Sequence, residues 1–528
     1  MKRAALAAVA LATVSAATTV TTSARAEGFG ELGRDIVPRE KAEIKFSGYL
    51  RTRGEALYNF DLDRGPTPSG QPLFPVSRID PKAQTLTHWD MRARMDVQVF
   101  APGSTLAVKM RLDALDNLVL GSVPDGVPSS STSQRTPEES VKVRRAWGEA
   151  LLPFGLLVAG RMSTHWGLGL VANGGECLDC DSVDASDRIG FISPLAGHIF
   201  AVAYDFSASG PIGTRPAQNR YIDLERGTSV RTATFAFLKW YGPDAIARRR
   251  RADKASFEYG SYITHRWQSQ DIPGSYLPTA QPVDVTQSPS MARGFTATGF
   301  DVWLKLSLPS ARIEAEASLL LAQVDQASLV PGVLFRDPVK STQFGAVLES
   351  DFGKTEAPFA FGVDAGYASG DSAPGFGVVQ KPGAPAPKQG DLDGAQANPP
   401  KDNRVDNFRF HPDYRIDRIL FREILGAVTD AAYLKPHARL AFYRTPAFEI
   451  GATTSAVGSM AMYASSTPGG KRPLGIELDP SLHYAHRDGF QAALDYAILF
   501  PLGGLDNTAL KMSATPAQLI RLRLGFMF

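Results

Sequence analysis

Leu522-Arg523-Leu524-Gly525-Phe526-Met527-Phe528 ends the chain, with Leu522, Leu524, Phe526 and Phe528 on one parity and Arg523 on the other. The same alternation runs through Trp89-Met91-Ala93-Met95-Val97-Val99 against Asp90-Arg92-Arg94-Asp96-Gln98. In 44–60, Ile44, Phe46, Leu50, Ala56, Tyr58 and Phe60 oppose Lys45, Ser47, Tyr49, Arg51, Arg53, Glu55 and Asn59. Phe490-Ala492-Leu494-Tyr496-Ile498-Phe500 repeats it near the end. A period of two means strands with one apolar and one polar face. A soluble sandwich gives that pattern too, so further features must decide.

The alternating runs often exceed the ~9–11 residues that cross a bilayer at a tilt, and are longer than a soluble strand of ~5–6. Connections alternate between short and long. Ala101-Pro102-Gly103 and Pro309-Ser310 are tight turns. Asp61–Ala83, Leu118–Ser140, Gln268–Arg293 and Gly370–Ala431 are long and rich in Gly, Pro and polar residues. This asymmetry predicts an all-β fold: a transmembrane antiparallel β-barrel of about 18 strands, with short periplasmic turns and long extracellular loops. Sixteen strands is the alternative count if weak segments such as Ser186–Ser193 are discarded. An even count puts both chain ends in the periplasm.

Composition agrees. The chain has 528 residues, 44% hydrophobic and 21% charged, too apolar for a disordered polymer. After the N-terminus no apolar run approaches the ~20 residues of a spanning helix, which rules out an α-helical membrane protein. Lys2 and Arg3, the apolar Ala4–Val14 and the Ala24-Arg25-Ala26 cleavage site mark residues 1–26 as a signal peptide. Residues 27–42 are then a periplasmic N-terminal segment and 43–528 the barrel. Loss of Lys2, Arg3 and Arg25 takes the basic count from 56 to 53 against 54 acids, moving the formal charge from +2 to −1. A near-neutral mature chain argues against a nucleic-acid partner.

In architecture the sequence resembles the porin superfamily of Gram-negative outer membranes, and in size its alginate-export and carboxylate-channel groups. Gly160-Arg161-Met162 with Trp166-Gly167-Leu168-Gly169 also resembles an uncharacterised barrel family of delta-type proteobacteria. The alternating last strand with terminal Phe528 resembles the signal read by the barrel-assembly machinery. The resemblance implies a cell outer membrane location, with membrane lipids and lipopolysaccharide around the barrel.

Charges on the lipid face cost ~2–4 kcal/mol at the midplane, so the polar parity faces the lumen. Lys45, Arg51, Arg53, Arg92, Arg94, Lys109, Arg111, Lys142, Arg144, Arg161, Arg188, Arg521 and Arg523 form a basic wall. Asp205, Glu258, Asp301, Glu314, Glu316 and Asp495 belong to a facing acidic wall. A transverse field of this kind orients hydrated solutes and penalises apolar ones. The alternative is a structural network of cross-strand pairs. The expected function is a porin-like channel for passive diffusion of small hydrophilic, preferentially anionic solutes. The competing reading is a surface scaffold or adhesin acting through long loops, and behind it an outer-membrane hydrolase.

Other motifs carry less. Cys177-Leu178-Asp179-Cys180 lies in an expected external loop, where a local disulfide fits and a thioredoxin-like or zinc site does not. Glu176, Asp179, Asp181, Asp184 and Asp187 read as a solvated acidic loop, with calcium the alternative and no other metal or cofactor expected. Arg248–Arg251 falls in a periplasmic turn. Trp166, Trp240, Tyr241, Trp267 and Phe528 suit interfacial girdles. No G-x-S-x-G, H-E-x-x-H or phosphate loop is present, so no enzyme is expected. In the longest loop, Gly370–Pro400 reads as flexible. Asp413 is placed to cap a helix through Arg415–Val428, with Ile416, Ile419, Leu420 and Ile424 as its apolar stripe and Arg415, Arg418 and Arg422 beside it. Folded inward, that helix would constrict the pore; left outside, it would cap the rim.

Overall fold

A computed structural model describes residues 32–33, 36, 39–80, 82, 84–121, 141–218, 220–272, 290–328, 334–354, 357–377, 387–392, 397 and 402–528. The signal peptide lies outside these residues, as do most of 27–42 and much of Gly370–Pro400.

Eighteen antiparallel segments pair in sequence order and close on themselves. They are β1 (Glu43–Tyr58), β2 (Thr85–Phe100), β3 (Leu106–Val119), β4 (Lys142–Leu152), β5 (Gly155–Ser163) and β6 (Ala185–Leu195). Next come β7 (His198–Ala208), β8 (Val230–Lys239), β9 (Ser256–Asp271), β10 (Met291–Ser307), β11 (Ala311–Val324) and β12 (Val339–Phe352). The series ends with β13 (Phe359–Ala368), β14 (Ala431–Arg444), β15 (Phe448–Ala461), β16, β17 (Phe490–Pro501) and β18 (Ala517–Met527). β16 is broken into Pro473–Leu478 and Ser481–His486, because Pro480 has no N–H for a ladder. β1 pairs with both β2 and β18, so the sheet has no free edge.

Outward side chains are mostly apolar. On β18, Ile520 and Phe526 are exposed while Arg521 between them is buried in the lumen. A closed barrel with an apolar exterior is the form in which strands cross a lipid bilayer, and this one has the outer-membrane pattern of even strands, short turns and long loops. At the turn end, Ala196 and Gly197 both take positive φ (50° and 75°), as a two-residue I′ hairpin requires. The longest connection on that end holds a helix, α1 (Pro243–Arg251). Pro243 sits at its start and Arg248–Arg251 in its last turn, where the helix dipole favours cations.

Loop and N-terminal residues pack into the lumen. Near the loop end, inward Leu57, Val347, Val457, Leu474, Leu499 and Leu519 form an apolar core with residues of the loop between β13 and β14 (L7, 369–430). A second apolar core holds Phe100, Leu156, Val158, Leu238 and Trp303 of the wall together with Ile36. Leu32 packs against it, and Gly33 N–H donates to Glu149 Oε2 at 3.0 Å, so these N-terminal residues enter the barrel. Lipid outside and protein inside mean that parts of the wall are apolar on both faces.

Candidate functional site

The inward cations of β18 and β1–β4 descend the wall as a staircase. Strand register sets Arg521 opposite Glu55, Arg523 opposite Arg53 and Arg51 opposite Arg92. Lower rows set Arg94 opposite Tyr49, Arg111 between Asp96 and Arg145, and Lys109 opposite Gln98. Every one of these rows carries a cation. Packed this densely, guanidinium groups need carboxylates among them. Asp90 lies 3.0 Å from Arg51 Nη2 and 2.9 Å from Arg53 Nε. Arg94 holds Asp113 at 2.7 and 2.8 Å, Arg111 holds Asp96 at 2.6 and 2.8 Å, and Lys109 meets Glu149 at 3.0 Å. Arg521 pairs with Glu55, Arg188 with Asp205, and Lys142 lies 3.6 Å from Asp116.

One basic-wall assignment changes, and one arginine joins the wall. Arg161 faces outward and pairs with Asp187 at 2.7 Å, with over half of its side chain exposed. Inward parity on β5 belongs to Leu156, Val158 and Met162, so Arg161 cannot line the lumen. On β4 the register skips from Arg111–Arg145 to Leu112–Val143, which makes Arg144 a bulge residue. Arg144 still reaches Asp113 and Asp116, and Arg145, which strict alternation assigns outward, is buried in the lumen.

The loop between β5 and β6 (L3, 164–184) folds into the lumen, contrary to the solvated external loop expected. Its root is anchored on the far wall: Trp166 Nε1 donates to Asp301 Oδ1 at 2.7 Å, and Leu168 N–H donates to Glu316. Trp166 is therefore buried, not a girdle residue. The tip, 174–181, lies along the staircase. Arg145 donates to the Gly174 carbonyl, Arg94 to Gly175 at 3.0 Å, Arg51 to Leu178 at 3.2 Å and Arg92 to Cys180 at 2.5 Å. Glu176 takes Arg145 at 2.6 Å and Arg111 at 2.8 Å. Asp179 takes Arg53 at 3.0 Å, and Asp181 takes Arg51, Arg53 and Arg92 at 3.0–3.2 Å.

A Cys177–Cys180 disulfide closes the turn that presents these acids. Burial by itself would raise all three carboxyls, but the surrounding guanidiniums prevail. Glu176 falls to about 2 under Arg111 and Arg145. Asp179 is held well below the carboxylate range by Arg422, Arg523, Arg521 and Arg415, and Asp181 by Arg53, Arg415 and Arg51. The oxygens of the alternative calcium reading are thus committed to arginine. Asp184 accepts from Asn173 N–H at 3.1 Å and lies 3.3 Å from His411 Nε2.

L7 also folds inward, but the predicted helix does not form. Only Leu420–Ile424 makes a single wide turn. Asp413 caps nothing helical; its carboxylate accepts the N–H groups of Asp181 and Ser182 at 3.1 and 2.7 Å. Glu477 of β16 accepts the N–H groups of Arg418, Ile419 and Leu420 at 2.7–3.0 Å, and Asp417 those of Phe421 and Arg422. Side-chain carboxylates thus take the N–H groups that a helix would bond to its own carbonyls. Ile416, Ile419, Leu420 and Ile424 do share one buried set, turned into the apolar core. Arg422 meets Asp179 at 2.7 Å, Arg415 meets Asp181 at 3.1 Å, and Arg418 meets Asp495 at 3.1 Å.

The far wall is acidic but not open. Glu258 accepts from Tyr241 N–H at 2.8 Å, and Glu314 is held by Arg312, Lys305 and Trp303 Nε1. Asp495 is not on that wall: it sits on β17 beside the staircase, opposite Arg521 in register, and is shared by Arg523 and Arg418. Instead of two bare walls across water, the acids tether loops and the loops cover the arginines.

Alternation found most wall residues. It missed Arg145 because of the bulge, and it could not show that L3's carboxylates turn inward, because their partners are remote in sequence.

No family model matches the sequence, and no curated protein matches it. Among solved structures the chain is similar to OccK11 (OpdR) of Pseudomonas aeruginosa, at 12% identity and TM-score 0.47, covering 93% of this chain and 98% of that one. It is similar to OpdK of Pseudomonas aeruginosa solved with vanillate, at 9% identity and TM-score 0.45, covering 93% and 100%. It is also similar to OccAB2 of Acinetobacter baumannii, at 10% identity and TM-score 0.45, covering 92% and 98%.

Proposed function

We propose that the protein is an outer-membrane channel for passive diffusion of small hydrophilic solutes, with a preference for anions. One observation carries this reading: the staircase places a cation in each successive lumen-facing row from Arg521 down to Lys109. Guanidinium groups bind carboxylate and phosphate through paired, planar hydrogen bonds, so a solute can pass from one row to the next without losing all its partners. L3 and L7 set the bore. On this reading lipopolysaccharide and lipid surround the outer face, and the assembly machinery recognises Phe528.

The test is current through the purified protein in a planar bilayer under a KCl gradient. An ohmic, anion-selective conductance is expected, and Arg92→Ser, Arg94→Ser and Arg111→Ser together should move the reversal potential toward cations. A folded protein that passes no current overturns the channel. An unmoved potential overturns the anion preference.

A further inference from the structure

The L3 tip is bound by the staircase in the way a ligand would be. Within 174–181, four backbone carbonyls (Gly174, Gly175, Leu178 and Cys180) accept from wall arginines, and three carboxylates (Glu176, Asp179, Asp181) pair with them. A simple organic acid would use only the second kind of contact. Arg53 Nη1 lies 3.0 Å from both Asp179 and Asp181, which fixes the spacing of two acids one residue apart. Leu178 projects over Gly525 of β18, where any Cβ would come within 2.6 Å of its Cδ2. The missing side chain at Gly525 leaves a seat for an apolar group just before the acid pair.

The loop is divided by the chemistry of its contacts. Its root contributes Trp166, Leu168 and Leu170 to the two apolar cores, and withdrawing them would expose that surface to water. The tip contributes no residue to either core. Its ionic contacts can be exchanged for those of another anion with little loss of apolar burial. Gly174 and Gly175 join root and tip, and Gly175 has φ +65°, so the joint lies in backbone geometry that favours glycine. Donors also remain to be used: Arg51 Nε, Arg145 Nε, Arg111 Nη1 and Arg521 Nη1 are buried with no hydrogen-bond acceptor among the described residues.

We propose that the staircase is a binding track for short acidic peptides, and that Gly174–Asp181 of L3 is its resident pseudo-ligand, displaced when such a peptide enters. This rests on the reading of the barrel as a channel for anionic solutes and specifies what it takes and how the site is held at rest. A competing segment within the same chain lowers apparent affinity by the fraction of time it occupies the site.

Binding of acetyl-Leu-Asp-Ala-Asp-amide, copied from 178–181 with Ala for Cys180, is measured by calorimetry on detergent-solubilised wild type and on Asp179→Asn/Asp181→Asn. The neutralised tip should compete poorly, so the variant should bind roughly tenfold more tightly. Acetyl-Leu-Asn-Ala-Asn-amide should bind neither protein. Equal affinity in the two proteins, no binding in either, or succinate binding as tightly as the peptide overturns the proposal. If the double variant lacks the heat-modifiable mobility of a folded barrel, Asp181→Asn alone replaces it. Bilayer current is recorded on the same samples. Tighter peptide binding by the variant without current in either protein would sink the channel and leave the track standing; current without the affinity difference would do the reverse.

Discussion

Arg422 Nη1 of L7 lies 2.7 Å from Asp179 Oδ2 of L3, joining two loops 243 residues apart inside one barrel. Both side chains are nearly buried, so removing one partner costs at most the roughly 3–5 kcal/mol of an uncompensated buried charge, reduced by the partners that remain. Asp179 also meets Arg53 and Arg415, whereas Arg422 otherwise has Glu423. Asp179→Asn should therefore destabilise more than Arg422→Gln. A double-mutant cycle read by urea unfolding should give a coupling of about 1–3 kcal/mol. Strict additivity would show that the loops are not coupled through this pair.

His165 makes L3 sensitive to acid. Its Nδ1 accepts from Gly174 N–H at 3.1 Å and so must be unprotonated, and burial keeps the ring below its ordinary 6.5. The stability this group contributes is complete above pH 6.5 and declines as pH falls toward its folded value. Glu176, at about 2, keeps its charge across that range. Hydrogen exchange of 172–176 should therefore accelerate between pH 6.5 and 4, after correction for intrinsic rates. His165→Gln should flatten the trend. An equally steep trend in that variant would place the sensitivity elsewhere.

Phe528 and Gly48 exchange backbone hydrogen bonds at 3.0 Å in both directions, while the Phe528 ring remains exposed. Deleting Phe528 should reduce the folded, heat-modifiable barrel in outer-membrane fractions severalfold, and Phe528→Tyr should restore most of it. Full yield from the deletion would remove the assembly role.

Arg161 offers a control for the staircase. It is outward, half exposed and paired locally with Asp187. Arg161→Gln should change stability by no more than about 0.5 kcal/mol and leave ion selectivity unmoved. A selectivity shift as large as that of the Arg92, Arg94 and Arg111 variant would contradict its outward placement.

The strands were legible because lipid imposes a rule that the chain must obey at every second residue. Even the weak segment Ser186–Ser193 lies within β6. The rule breaks where a bulge adds a residue, so Arg145 escaped while Arg144 was found. Inside the barrel no comparable rule operates. The i, i+4 spacing of Ile416, Leu420 and Ile424 correctly marked a buried stripe, yet Glu477 and Asp417 took the N–H groups a helix would have used. The acids of L3 read as solvated because their arginines come from β1–β4 and L7, which local sequence does not bring near.

The β1–β18 seam also constrains the timing of assembly. The register joins Tyr58 to Gln518 and Tyr49 to Met527, so the circle is completed only when β18 meets β1, strands separated by the whole of the barrel sequence. Ile36, the L3 root and the apolar face of L7 are by then enclosed within it. An intermediate lacking β18 would be an open, curved sheet with its contents accessible from the side. Cargo and wall would then mature together, and closure of the seam would turn a loaded sheet into a sealed vessel.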